Sequence, residues 1–571
     1  MALTLITTTG LPVTHDRQSS VFRHSAESAP YTTIFCEHRM AQSREGVMPR
    51  AAQLRRSAMF MSPLADVEIP DLPLTDYVLA RADELGDKPA LVDGASGRTL
   101  TYAGLASAVR SLAGGLIASG FQKGDVLALM SPNVPEFAII FHGVAAAGGI
   151  ITTINPTYTE PEIRKQLVDS GATLLVTVGP LLPLATAAAA GTSVREVYVL
   201  GEAEGAKPVT ALFGAPIAAH VPVAAGDLVV LPYSSGTTGI NKGVMLTHRN
   251  LIANVAQVLS AANVREDETF IAVLPFFHIY GMQVLMNTGL RAGTTIITMP
   301  RFDLEEFLRL HQEYGVTRSF VAPPIVVALA KHPIVDNYDL SKLEQVFSGA
   351  APLSAELSLE AGARLGCDIV QGFGMTELSP VSHLTPPGMF KPGSCGVTAP
   401  NTQSRIIDPE TGADLGVDAS GELLVRGPQV MIGYLNNPEA TESTIDADGW
   451  LRTGDIGYID SDGHLFIVDR LKELIKYNGF QVPPAELEAL LLTHPAVADA
   501  AVVGRPDEAA GEIPVAYVVL RQEGMASGQE IQDFVAGQVA HYKQIREVIF
   551  IDAIPKSASG KILRRLLRDG S

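Results

Sequence analysis

The chain has 571 residues, 47% of them hydrophobic and 18% charged, with 52 glycines and 37 prolines spread along it; this is too long for one hydrophobic core and too apolar for general disorder, so two or more loop-rich globular domains are expected. A formal charge of −19 argues against a nucleic-acid binder, because such surfaces need clustered Lys and Arg, and it makes any phosphate binding local. Cys36, Cys367 and Cys395 are far apart and form no CxxC or Cys/His cluster, so neither a disulfide framework nor a zinc site is indicated and a reducing compartment fits.

Residues 1–62 stand apart, with seven arginines against four acidic residues and no sustained apolar period. Disorder is expected there, as an organelle transit segment or, preferred, an upstream extension ahead of Met59 or Met61. The opening MALTLITTTG lacks a basic stretch before its short apolar run and reads poorly as a secretory signal.

From about Pro70, apolar runs such as Val126–Met130 and Thr173–Thr177 alternate with Ala/Leu-rich helical segments such as Tyr102–Ala118, the pattern of α/β layers. Phe137 to Ile154 approaches membrane-spanning length but contains His142, Gly143, Gly148 and Gly149 and follows Ser131-Pro132-Asn133. It reads as a buried helix, a glycine turn and a strand, with no stable membrane insertion.

The strand Asp227–Pro232 then runs into Tyr233-Ser-Ser-Gly-Thr-Thr-Gly-Ile-Asn-Lys-Gly243. Small residues let backbone N–H groups converge on an anion, Ser234, Ser235, Thr237 and Thr238 add hydroxyl donors around Gly236 and Gly239, and Lys242 adds charge. A polyphosphate is the natural guest. The loop is not a Walker A loop, because Asn241 precedes Lys242 and Gly243 follows it.

Downstream lie Leu274-Pro-Phe-Phe-His-Ile-Tyr280, Ala322-Pro-Pro-Ile-Val326, Ser348-Gly-Ala-Ala-Pro352 and Gly372-Phe-Gly-Met-Thr-Glu377. Taken singly, His278 reads as a satisfied core histidine, Thr376 as a helix cap and Glu377 as a solvated acid. A β-richer region follows, with strands at Gly421–Arg426 and His464–Asp469 around Arg452-Thr-Gly-Asp455, and a domain join is expected near Asp469-Arg-Leu-Lys472. The last hundred residues read as a small α+β unit, with strands at Ala500–Val503 and Pro514–Val519 and helices at Ala485–Leu492 and Glu530–His541. Near the end, Pro555-Lys-Ser-Ala-Ser-Gly-Lys561 is another glycine-hydroxyl loop, and Arg564, Arg565 and Arg568 read as a solvated basic helix end.

The 233–243 string closely resembles the SSGTTGxPKG signature of the adenylate-forming superfamily of acyl-CoA synthetases, luciferases and adenylation domains. The other motifs match that superfamily in order across nearly all of residues 70–571, most closely in 4-coumarate–CoA ligase-like enzymes. The resemblance implies a large N-terminal domain of layered α/β sheets with a β-rich subdomain (63–471) and a small mobile C-terminal α+β lid (472–571). It implies ATP, CoA and Mg²⁺ as partners of a small carboxylic acid. Gly349, Ala350, Gly372 and Phe373 would meet adenine, Thr376 the phosphate, Glu377 the metal, and Asp455 and Arg470 the ribose. Lys561 would be the adenylation lysine, Lys472 the hinge, and Gly479 and Phe480 part of the CoA face, with His278, Lys476 and Gln481 catalytic. The acid pocket carries over as Ile279, Tyr280, Gln283, Val321, Phe347, Gly349, Ala350, Gly374, Pro380 and Val381.

Three departures stand out: Asn241 in place of a usual proline, Asn478 where many relatives have lysine, and Phe347 where plant enzymes commonly have lysine. The last favours an apolar or lightly hydroxylated acid. A cytosolic ligase for cinnamate or 4-coumarate is therefore expected, with a medium-chain fatty acid ligase and a luciferase-like monooxygenase as alternatives.

Overall fold

In the computed structural model the described residues are 59–234, 241–478, 480–507, 510–557 and 560–568. The expectation for residues 1–58 lies outside them. The predicted extension is shortened at its end: Met59–Met61 forms an edge strand, antiparallel to Gln403–Ile407 with Phe60 opposite Ser404. Phe60 supplies the reason, being 4% exposed within the core under that sheet.

Helix Tyr102–Ala118 forms where its period indicates. Thr101 caps it by accepting the Gly104 N–H, and Leu105, Val109, Leu112 and Leu116 bury one stripe. Phe137–Ile154 resolves into the buried helix Glu136–Ala146, a turn and the strand Ile150–Thr153. Among the described residues no helix is long and apolar enough to cross a membrane.

These elements pack on two large sheets. An eight-stranded sheet runs in the order Gly433–Tyr434, Lys242–Thr247, Leu228–Ser234, Ile150–Thr153, Val126–Met130, Leu174–Val178, Glu196–Leu200, Lys207–Pro208. A nine-stranded sheet has the parallel core Asp368–Gly374, Gln345–Ser348, Arg318–Val321, Thr269–Ala272, Thr295–Thr298, Pro89–Asp93. One continuous apolar core joins both sheets, so their central strands read as unbroken apolar runs. In the nine-stranded sheet Val321 pairs with Ser348 and Ser348 with Gln371. The loops leaving the carboxyl ends of these strands thus emerge side by side, where α/β sheets gather ligands.

A third, six-stranded antiparallel sheet contains Gly421–Arg426, Leu451–Ile459 and Leu465–Arg470. Between Arg470 and Ile475 the chain leaves it and enters a five-stranded sheet with its own core, built on Ile475, Val482, Leu487, Leu491, Val497, Val518, Ile531 and Val535. The helix expected at Glu530–His541 runs instead from Gly528 to Ala536 and stops at Gly537, after which His541–Lys543 forms a separate 3₁₀ turn. Glycine is the weakest helix former after proline.

Candidate active site

The string expected to cradle phosphates is flanked by two antiparallel strands. Ser234 closes one strand and pairs with Lys242 opening the next, while Ser235, Gly236, Thr237, Thr238 and Gly239 lie outside the described residues. Asn241 anchors its side of the loop by donating to Tyr158 Oη at 3.0 Å, a tether that the proline expected from the resemblance could not make. Lys242 Nζ sits 4.5 Å from the centroid of the Tyr434 ring. The Tyr434 hydroxyl donates to Glu377 Oε1 at 2.8 Å. Sequence reasoning missed Tyr434; its only local signal is a Gly-Tyr pair after an apolar run.

Thr376 and Glu377 open a one-turn 3₁₀ helix after the strand Asp368–Gly374, and both are buried. Phe373 lies on that strand with its ring 6.1 Å from His383. Ala350 adopts φ 73° just after Gly349, whose N–H is held by Val321 O at 3.0 Å. Asp455 and Arg470 face each other across antiparallel strands, with Arg470 Nε 3.4 Å from Asp455 Oδ1. Burial raises the Asp455 carboxyl pKa, and Arg470 and Lys561 act against that rise.

Lys561 reaches this group from the small domain. Burial and then the Arg470 charge lower its ammonium to about 8, while Asp455, Glu473 and Glu377 oppose the shift. Lys561 also adds to the burial that takes His278 down to about 4. The loop is pinned by the Lys561 N–H donating to Ser557 Oγ at 3.1 Å. At Gly560, φ is 81° and an added Cβ would lie 3.0 Å from Ala322 Cβ, so the loop rests directly on the large domain.

The acid side is aromatic. Tyr280–Asn287 winds as a π-helix, a rare form that recurs at functional sites. The Tyr280 hydroxyl donates to Phe347 O at 3.2 Å, and its ring meets that of Phe347 edge-on at 6.5 Å. Phe347 also packs on Phe320 at 5.7 Å and fills the space over Gly372, so a side chain there would enter its ring. Ile279, Val321 and Val381 are buried, and Gly374 packs on the carbonyl of Pro380. His278 Nδ1 accepts the Tyr280 N–H at 3.3 Å. Gln283 is engaged elsewhere: its amide donates to Leu251 O at 2.6 Å and accepts from Asn287 at 2.8 Å.

The residues expected to handle the thiol are not gathered here. Lys476 and Gln481 pair across a two-residue hairpin and, like Lys472, are exposed. Phe480 is 54% exposed and stacks on Tyr542 with centroids 4.6 Å apart. Gly479 lies outside the described residues. Arg564 corrects the reading of a solvated helix end: it is nearly buried, paired with Glu473 and, at 2.7 Å, with Glu488. Carboxylates brought in from distant segments attract it inward.

Among the described residues no three His, Cys, Asp or Glu side chains cluster as a metal cage. Glu377 nonetheless suits a cation carried by phosphate oxygens, because Mg²⁺ is commonly held by one or two carboxylates plus substrate phosphate.

Two unequal domains, a glycine-hydroxyl string between paired strands, the buried Asp455 beside Arg470 and a lysine brought in from the small domain fit an enzyme that uses a nucleotide to activate its substrate. The AMP-binding enzyme model matches residues 78–435 and its C-terminal domain model residues 486–561. The chain is 47% identical over 524 residues to 4-coumarate–CoA ligase 5 of Oryza sativa subsp. japonica, covering 89% of this chain and 97% of the relative. It is 46% identical over 527 residues to 4-coumarate–CoA ligase 1 of Petroselinum crispum, covering 90% and 97%. Among solved structures it resembles the anthranilate CoA ligase AuaEII in complex with anthranoyl-AMP, with TM-score 0.82, 25% identity and coverage of 88% and 98%. It also resembles ATP-bound MatB from Rhodopseudomonas palustris, with TM-score 0.80, 30% identity and coverage of 87% and 99%. The chain belongs to the AMP-binding enzyme family.

Proposed function

We propose that the protein is an ATP-dependent acid–CoA ligase acting on a cinnamate or hydroxycinnamate-type acid, in two domains divided at 471/472. The observation that carries the reading is Lys561, a residue of the small domain held among Asp455, Arg470, Glu377 and His278 of the large one. In the first half-reaction a carboxylate oxygen of the acid attacks the α-phosphorus of ATP, and the bridging oxygen leaves with pyrophosphate, giving acyl-AMP. The 234–242 hairpin and Thr376 hold phosphates, Asp455 and Arg470 the ribose, and Gly349, Ala350, Gly372 and Phe373 the adenine. Lys561 neutralises charge developing at the α-phosphate, an electrostatic role that needs no movement during the reaction. Glu377 would hold Mg²⁺ together with the phosphates, and the ion would supply further charge neutralisation there.

In the second half-reaction the sulfur of CoA attacks the acyl carbon and AMP leaves. Turning the small domain about Lys472 withdraws Lys561 and brings the hairpin of Lys476, Gly479, Phe480 and Gln481 to the site, with His278 between acid pocket and thiol. The two free cysteines among the described residues, Cys367 and Cys395, suit a cytosolic setting.

For the acid, Phe347 replaces a polar end with an aromatic wall. Tyr280 has committed its proton to Phe347 O and so offers only lone pairs, suited to one donating ring hydroxyl. With the Gln283 amide already bonded on both sides, a second hydroxyl has no evident partner. Cinnamate and 4-coumarate are therefore preferred, and the apolar lining keeps a medium-chain acid as the second reading. A panel of cinnamate, 4-coumarate, caffeate and octanoate, followed by AMP release and thioester formation, tests this: a strong preference for caffeate overturns the pocket reading. Lys561→Ala is expected to lower ATP–pyrophosphate exchange at least 100-fold, in the range for removing one charge-stabilising group, while thiolysis of supplied acyl-adenylate stays largely intact. Equal loss of both steps overturns the division of labour.

A further inference from the structure

Tyr434 lies outside every motif read for nucleotide binding, yet it touches two of the groups those motifs name. Its short strand runs antiparallel to the strand of Lys242, with Val244 opposite Tyr434 and Met245 opposite Gly433. Leu435 N–H to Gly243 O at 2.8 Å and Ile432 N–H to Met245 O at 3.2 Å continue the pairing. Just upstream, Met431 N–H donates to the backbone carbonyl of Glu377 at 2.9 Å. The Tyr434 N–H is held by Thr441 Oγ1, also at 2.9 Å. The backbone is thus tied to both the lysine strand and the glutamate turn, and the side chain is buried at 6% exposure. Its ring face carries Lys242 Nζ and its hydroxyl holds Glu377 Oε1.

The geometry points to Tyr434 as a positioning residue, a rigid spacer that keeps the phosphate lysine on the face of the ring and the metal carboxylate at its hydroxyl, and aims the second carboxylate oxygen at the cation. A lysine and a glutamate free to meet would form a salt bridge and cancel the charges that ATP and Mg²⁺ each need. The aromatic face holds the ammonium without neutralising it. The phenol occupies one oxygen of Glu377, and among the described residues no side chain or backbone N–H donates to Oε2. This assignment rests on the proposal that the site binds ATP with Mg²⁺.

The test is calorimetric binding of a non-hydrolysable ATP analogue with and without Mg²⁺, alongside thermal melting, so that turnover is not the readout. Tyr434→Phe keeps the ring and removes one oxygen; the Mg²⁺-dependent gain in affinity is expected to shrink roughly tenfold, the scale of a hydrogen bond to a charged group, with metal-free affinity unchanged. Tyr434→Leu removes the spacer and is expected to weaken both. In a Glu377→Gln background Tyr434→Phe should cost nothing further. A Tyr434→Phe protein with the parent's Mg²⁺ dependence, or additive losses in the double variant, would overturn the assignment. The unsubstituted protein separates the two levels: failure to bind nucleotide more tightly with Mg²⁺ removes the underlying reading, and the spacer role with it.

Discussion

Lys561 and His278 show how a single residue's surroundings set what it can do. Burial takes His278 to about 4, so at neutral pH it is an uncharged imidazole and can take a proton without first losing one. Lys561 is lowered to about 8, by burial first and Arg470 second. A lysine is charged below its pKa, so the catalytically useful form is lost as pH rises through 8. We expect kcat/KM for ATP to fall on the alkaline side with a midpoint near 8, since that parameter reports the free enzyme. The limb in kcat should lie higher, because bound phosphate favours the charged form. Lys561→Arg should remove the limb from kcat/KM, as a guanidinium stays charged throughout this range; an unmoved limb would assign the titration to another group.

At the scale of elements, what was legible in the sequence depended on whether the cause was local. Tyr102–Ala118 and the strands at Val126–Met130 and Gly421–Arg426 carry their period in their own residues and form as expected. The π-helix at Tyr280–Asn287 does not, and Gly281 within it lies so close to the Pro275 carbonyl that no side chain fits. The strand at Met59–Met61 was hidden because its partner Gln403–Ile407 is far away in sequence. The site divides the same way. Motif order pointed to Asp455, Arg470, Glu377 and Lys561, whereas Tyr434 owes its place to a register with Val244, and Arg564 its burial to Glu473 and Glu488. The strand Arg318–Val321, which leads into Ala322, depends on another long-range pair: Arg318 bonds Glu268 at 3.0 Å, with side-chain exposures of 7% and 0%. Arg318→Leu should destabilise the large domain by about 3 kcal/mol, because the buried Glu268 carboxylate loses its nearest partner and keeps only Arg265, at 3.4 Å. Equilibrium unfolding in denaturant measures this, and Glu268→Gln in the same background should recover part of the loss.

The whole molecule consists of a large body, whose main core joins the two large sheets, and a smaller one with cores of its own, and the two meet at the Lys561 loop as well as where the Ala485 N–H donates to Asp469. Gly560 rests against Ala322 and Pro324, so Gly560→Val combines a steric block with a residue unsuited to φ 81°. We expect it to reduce pyrophosphate exchange at least tenfold, with melting and thiolysis of supplied acyl-adenylate near parent values. Loss of thiolysis as well would place the defect in folding rather than docking.

The exposed hairpin with Phe480 stacked on Tyr542 belongs wholly to the small domain, while Tyr280 and Phe347 belong wholly to the large one. On the proposed function, the hairpin that would meet the acceptor and the pocket that would meet the acid lie in separate stretches of chain, with His278 of the large domain the residue assigned to both. Such a layout behaves as interchangeable parts: grafting a different small domain after residue 471 should retarget the activated acyl group to a new nucleophile while leaving the ranking of acids unchanged.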